Sequence, residues 1–160
     1  MRNLFIIGLP VVFISIFGCS RSNPAGSFPQ NDSTHTAIIM VDDLSTAGLA
    51  GDNAHITNAS VAADVLTFVA QYGGGCARHE FKLFGSSRFL TSSPLQADVV
   101  LSHNANGDAC KALITDTLRF SLAPLREMFQ SSFGSKGTLL LRIHEPGAAE
   151  PISPLIQYDF

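Results

Sequence analysis

Two runs of alternating apolar and polar residues, one on each side of a triple glycine, limit the folds open to this chain. Apolar side chains occupy every second position in residues 65–72, and charged and apolar residues alternate in residues 76–84. Alternation with a period of two is typical of a β-strand that buries one face, whereas a helix repeats every 3.6 residues. The glycines at 73–75 separate the two runs. We therefore predict two amphipathic strands that cover a common core.

Further short runs with strand character are bounded by turn residues, and only one stretch has helical character. The additional predicted strands are residues 37–41, 96–103, 109–122, 138–144 and 155–160. Helical spacing of apolar residues between Pro124 and Phe133, followed by Gly134, predicts one short helix. This pattern favours an all-β fold, a two-sheet antiparallel sandwich of the Ig-like type, with about seven short strands in a single domain over residues 35–160.

The dipeptide Asn106-Gly107 predicts a hairpin between two of these runs, because both residues tolerate a positive φ. A two-residue turn at this point would place His103 directly opposite Cys110 on paired strands. Opposed Cβ atoms are about 4.5–5.5 Å apart. The two side chains are therefore expected to be neighbours.

Composition excludes several classes of protein. Hydrophobic residues make up 46% of the chain and charged residues 14%, which is too apolar for a disordered protein. The net charge of -3 argues against a nucleic-acid partner, since such binding requires a basic face. No apolar run reaches the roughly 18–20 residues that a membrane-spanning helix needs.

The first eighteen residues have the layout of a secretory signal peptide. Arg2 precedes the predominantly apolar stretch Leu4 to Phe17, which ends next to Gly18 and Cys19. With Ile16 three positions before the cysteine and Gly18 directly before it, this segment resembles the lipobox of bacterial lipoprotein precursors. The resemblance covers about twenty residues and implies nothing about the fold or activity of the rest.

The resemblance implies that residues 1–18 are removed and that Cys19 carries acyl chains such as palmitate. Two or more chains give stable membrane anchoring. Ser20 follows the cysteine, as in members of the family that are sorted to the outer membrane, so we expect a protein facing the periplasm or the cell surface. Residues 19–34, rich in Ser, Asn, Pro and Gly, are predicted to form the lipidated cysteine and a flexible tether.

Once Cys19 is set aside, Cys76 and Cys110 remain. An even pair outside the cytosol is interpreted first as a disulfide. An alternative is a zinc or copper site, because Cys76, His79, His103 and Cys110 together form a chemically complete Cys₂His₂ ligand set. Two reduced, inert thiols are a third possibility.

The sequence carries no hydrolase elbow, zinc-protease helix or phosphate-binding glycine loop. A Cys–His enzyme built from the same cysteines and histidines is the remaining catalytic alternative. The expectation is therefore a lipid-anchored envelope protein that is not an enzyme and needs no cofactor, acting as a binding or structural module. Its expected partners are the membrane, through the N-terminal lipid, and another envelope protein.

Overall fold

The computed structural model describes residues 36–160, and within them the chain forms nine strands and one α-helix. The strands are β1 (Thr36–Ala37), β2 (Ile39–Val41), β3 (Ala54–Ala62), β4 (Val65–Gly74), β5 (Glu80–Ser86), β6 (Leu95–Asn104), β7 (Ala112–Ser121), β8 (Thr138–His144) and β9 (Ile156–Asp159). Helix α1 spans Ala123–Phe133, and a single 3₁₀ turn spans Leu44–Thr46. The predicted signal peptide (1–18), the lipidated Cys19 and the tether (19–34) lie outside the described residues.

The strands form two sheets, which confirms the predicted all-β, two-sheet sandwich. The first sheet has the order β1-β7-β4-β3, and the second has the order β2-β5-β6-β8-β9. Alternate residues of the central strands point into the space between the sheets and are buried. This is the arrangement that period-two alternation predicts.

The prediction of purely antiparallel sheets is wrong, because three of the seven strand pairings are parallel: β1 with β7, β2 with β5, and β6 with β8. The predicted single strand 37–41 is divided at Ile38, which is 3% exposed. Residues before Ile38 pair in the first sheet and residues after it pair in the second. This crossing from one sheet to the other explains in part why nine strands form where about seven were expected.

The predicted hairpin between β6 and β7 is also wrong. Asn106 and Gly107 do form a turn with positive φ, at +51° and +71°. The strands on either side of it, however, belong to different sheets, since β6 pairs with β5 and β8 while β7 pairs with β4 and β1. The turn therefore carries the chain between the sheets, and His103 does not pair with Cys110.

A single apolar core fills the space between the sheets. Its fully buried members from the strands are Leu66, Phe68, Ala70, Leu83, Ala97, Val99, Leu101, Leu139, Leu141, Ile143 and Tyr158. Helix α1 closes one end of the sandwich with Leu125 and Phe129, and it ends at Phe133, directly before the predicted terminator Gly134. Within residues 36–160, no helix has the length and hydrophobicity needed to cross a bilayer.

A polar contact at the α1 end joins three elements of the fold. Asp64, in the turn between β3 and β4, forms an ion pair with Arg126 of α1. The same carboxylate accepts a hydrogen bond of 2.6 Å from the buried hydroxyl of Tyr158 on β9. The turn, the helix and the last strand are thereby held together at this end of the sandwich.

Candidate functional site

A disulfide between Cys76 and Cys110 lies at the end of the sandwich opposite α1. It joins the segment after β4 to the segment before β7, with a sequence separation of 34 residues and 5.9 Å between the two Cα atoms. Cys76 is exposed to solvent, and Cys110 is half-buried. The two sulfurs are therefore bonded to each other at the surface end of the sandwich, where Cys76 as a whole residue is exposed.

Asp108 fixes the backbone on both sides of this disulfide. Its Oδ2 atom accepts hydrogen bonds of 2.8 Å from the amides of Gly75, Cys76 and Ala77. Its Oδ1 atom accepts a bond of 2.9 Å from the amide of Cys110. These amides, that of Ala77 first, hold the pKa of the Asp108 carboxyl well below its ordinary range. The buried side chain is thus an ionised carboxylate.

Two buried histidines continue this polar network into the core. The Nδ1 atom of His79 lies 2.7 Å from Nε2 of His103, and its Nε2 atom lies 3.2 Å from Oδ2 of Asp108. At the far side, Nδ1 of His103 lies 3.0 Å from the carbonyl oxygen of Asp52. The chain of contacts runs from a backbone carbonyl through two imidazole rings to a carboxylate. We refer to Cys76, His79, His103, Asp108 and Cys110 as the histidine–cystine centre.

The number of protons in this network follows from its end groups. The carbonyl of Asp52 and the carboxylate of Asp108 can only accept, so each of the three contacts needs one proton on a ring nitrogen. Two neutral imidazoles carry two such protons, and three are required. One ring is therefore a cation when all three hydrogen bonds are made. Burial lowers the pKa of the His103 imidazole.

Aromatic side chains enclose the two rings. Phe81 stacks on His103 with ring centroids 4.4 Å apart and an interplanar angle of 2°. Tyr72 packs against His79 at 4.7 Å. Burial raises the pKa of Tyr72 to about 12, so its hydroxyl stays neutral. These apolar surfaces exclude water from the histidines.

Gly74 explains why a triple glycine stands at this point of the sequence. A Cβ atom at this position would lie 2.4 Å from Nε2 of His79 and 3.0 Å from Oδ2 of Asp108. Gly74 also has a φ of +153°, which residues with a side chain rarely adopt. The glycine therefore lets His79 pack directly against the backbone of β4.

The structure brings together the four residues singled out from the sequence, but not as an open ligand set. The sulfurs of Cys76 and Cys110 are bonded to each other, and the facing nitrogens of His79 and His103 are at hydrogen-bond distance. The sequence did not predict a role for Asp108. It follows Gly107 in a predicted turn, and aspartate is common in turns for purely structural reasons. The sequence also did not predict a role for Asp52, which contributes only a backbone carbonyl.

A shallow cleft of about 440 Å³ opens beside the centre. Its lining residues are Asn53, Ala54, His55, Gln71, Tyr72, Gly73, Leu113, Glu145 and Pro146. The Nδ1 atom of His55 lies 2.7 Å from Oε1 of Glu145 in it, and Leu113 at its border is 74% exposed. Its volume falls within the range of small-ligand sites, roughly 300–1,000 Å³.

No protein-family model matches the chain, and neither does any curated protein. Several solved structures are similar to it, and three of them are described here. They are a DUF1344 protein of unknown function from Bacteroides vulgatus (16% identity, TM-score 0.47), a NigD-like immunity protein from Bacteroides caccae (18%, 0.49) and a candidate lipoprotein from Bacteroides fragilis (9%, 0.48). Each match covers 78% of this chain, and this chain spans 55%, 58% and 70% of those proteins, respectively. Because these likenesses are weak, no function is carried over from them.

Proposed function

We propose that this protein is a lipid-anchored component of a bacterial cell envelope, in which the β-sandwich acts as a non-enzymatic binding or structural module. The observation that carries the proposal is the lipobox-like sequence that ends in Gly18-Cys19, directly after an apolar signal segment. In this proposal the acyl chains of Cys19 hold the protein at the membrane, and residues 20–34 connect them to the domain.

The Cys76–Cys110 disulfide supports a location outside the cytosol. Disulfides persist in oxidising compartments such as the periplasm and the cell surface, whereas cytosolic thiols are kept reduced. The bridge closes a loop with a sequence separation of 34 residues. It therefore stabilises the domain in the compartment to which the signal segment would direct it.

The chemistry of the histidine–cystine centre favours a binding or structural role over catalysis. A nucleophilic cysteine needs a free thiolate, and both sulfurs are joined in the disulfide. The nitrogens of His79 and His103 are engaged in hydrogen bonds with each other, with Asp52 and with Asp108. The two histidines and Asp108 therefore hold one another in place. The neighbouring cleft offers a surface that a partner can contact.

The cleft has the mixed character that suits contact with another envelope protein. Leu113 offers apolar surface, while the His55–Glu145 pair and the amide of Gln71 offer hydrogen-bonding groups. Interfaces commonly combine an apolar contact with a polar rim in this way. We assign partner binding to this cleft.

The experiment that tests the proposal measures lipid attachment at Cys19 and membrane localisation of the protein. The full chain, expressed in a Gram-negative bacterium, should incorporate labelled palmitate and fractionate with membranes. Cys19→Ser should abolish both, while Ser20→Ala serves as the control that leaves the cysteine in place. Ser20→Asp should move the protein from the outer-membrane to the inner-membrane fraction on a density gradient. Recovery of the unlabelled protein in the cytosol, with Met1 still attached, would refute the proposal.

A further inference from the structure

We infer that the α1 end of the sandwich carries a surface that lies against the phospholipid bilayer, with the exposed side chains of Leu90 and Phe133 in contact with the lipid. The inference deepens the proposed function, on which it rests, because it states which part of a lipid-anchored domain touches the membrane. We refer to Leu90 and Phe133, together with the partly buried Phe89 beside them, as the aromatic patch.

The aromatic patch holds two of the few large apolar side chains that are exposed in residues 36–160. Phe133 is 55% exposed and Leu90 is 38% exposed; the others are Ile39 and Leu113. Phe133 is the last residue of α1, and Leu90 lies between β5 and β6. Both therefore belong to the end of the sandwich that α1 closes, whereas Leu113, near the start of β7, lies at the opposite end.

The core supports the aromatic patch from below. The ring of Phe133 lies 5.7 Å from that of Phe89 and 5.2 Å from that of the buried Phe129, measured between centroids. The amide of Leu90 donates a hydrogen bond of 2.8 Å to the carbonyl of Gln96, which holds the loop in place. Exposed apolar surface that is rimmed by polar residues is typical of a contact site for a protein or a membrane.

The chain around the aromatic patch suits phospholipid headgroups. Residues 88–97 and 128–138 contain no Asp or Glu, and their only charged residues are Arg88 and Lys136. Asp43 lies close enough to Arg88 to offset part of its charge, while Lys136 is exposed. Apolar side chains beside a cation are typical of surfaces that lie in the membrane interface, where the cation interacts with anionic headgroups.

The point where the chain enters the domain favours the bilayer over another protein as the occupant. Thr36 is paired with Phe120 on β7, and α1 begins at Ala123, so the segment from Cys19 reaches the domain at the end that carries the patch. Thr36 follows Cys19 by 17 positions. A flexible chain of this length spans about 20–25 Å on average. Acyl chains on Cys19 would therefore keep this end of the domain close to the headgroups.

This assignment leaves the cleft available for the partner that we propose. Two of its lining pairs, Ala54 with Tyr72 and Gly73 with Leu113, belong to the end of the first sheet that lies away from α1. The domain can therefore contact the bilayer through the aromatic patch and an envelope protein through the cleft at the same time.

The test uses single tryptophans, because the chain contains none of its own. The full chain with Phe133→Trp is expressed in a Gram-negative bacterium, purified as the lipidated protein and reconstituted into vesicles of phosphatidylethanolamine and phosphatidylglycerol. We expect its emission to shift to shorter wavelength and to be quenched by brominated phospholipids several-fold more strongly than that of the matched control Leu113→Trp. Interfacial side chains lie roughly 5–10 Å deep, so bromine atoms near the headgroup should quench most.

A second variant tests the cation at the rim. Lys136→Glu, added to Phe133→Trp, should reduce the quenching in vesicles that contain phosphatidylglycerol, since it places a negative charge against anionic headgroups. It should have much less effect in vesicles of phosphatidylcholine alone. All three positions are exposed, so thermal unfolding of the variants should match that of wild type.

The outcomes separate the inference from the proposed function. Palmitate-labelled, vesicle-bound protein with equal quenching at positions 133 and 113 would overturn the inference and leave the proposed function standing. An emission shift of Phe133→Trp without quenching by bromine would show that a second copy or another protein covers the patch, which also overturns it. Absence of palmitate from the protein would refute the proposed function and the inference together.

Discussion

The variant Gly74→Ala tests whether position 74 requires glycine because the His79 ring packs against it. The added Cβ would lie 2.4 Å from Nε2 and 2.7 Å from Cε1 of the His79 ring. The ring is held by His103 on one side and Asp108 on the other, so it cannot move without loss of these contacts. We therefore expect Gly74→Ala to destabilise the domain by displacing the histidine.

The magnitude has two parts. A residue with a side chain at the φ of +153° that Gly74 adopts costs about 1–3 kcal/mol of backbone strain. Loss of partners by a buried polar group costs about another 1–3 kcal/mol. The free energy of unfolding should thus fall by about 2–6 kcal/mol in urea denaturation at pH 7.

Gly73→Ala is the matched control for this prediction. No heavy atom lies within 4 Å of a Cβ built at Gly73, and its φ is not in the positive range. Alanine there should change the stability by less than about 1 kcal/mol. Equal stability of the Gly73 and Gly74 variants would show that His79 does not lie against the backbone of β4, and the reasoning would fail.

Three further predictions concern stability. The double variant Cys76→Ser/Cys110→Ser should lower the free energy of unfolding by about 3–4 kcal/mol, because it opens a loop with a sequence separation of 34 residues; denaturation of wild type with and without reductant should give the same difference. Tyr158→Phe should destabilise the α1 end by about 1–2 kcal/mol through loss of the 2.6 Å bond to Asp64, and thermal unfolding measures it. Finally, the lowered pKa of Asp108 means that its contribution is complete above the ordinary aspartate value of 3.8 and is lost as the pH falls through the folded value. The urea midpoint of wild type should therefore drop below pH 4 more steeply than that of Asp108→Asn, and parallel curves would contradict this.

The sequence was sufficient to predict the elements with regular patterns. Strand β4 keeps its alternation over ten residues and β6 keeps it as far as Leu101, and Pro and Gly mark the two ends of α1. Strand β3 was not predicted, because a register shift between Ile56 and Asn58 moves its inward-facing positions and breaks the period of two. The parallel pairings depend on contacts between distant parts of the chain, which local patterns do not encode.

The candidate site was predicted in part for a similar reason. The chain has three cysteines and five histidines, and their spacing was sufficient to predict a cluster of Cys76, His79, His103 and Cys110. Their arrangement could not be predicted, since it depends on two sheets meeting at one end. The hairpin expected at Asn106-Gly107 would have placed His103 beside Cys110, whereas β5 places it beside Phe81 and next to His79.

Strand β7 separates the start of the described domain from the disulfide. Thr36, the first residue of β1, is paired with Phe120, whereas Ala112 at the other end of β7 is paired with Gly74. Eight residues of strand separate the two positions, or roughly 26 Å. If Cys19 carries the lipid that we propose, the segment that leads to it therefore enters the domain at the α1 end, and the Cys76–Cys110 disulfide lies at the far end of β7.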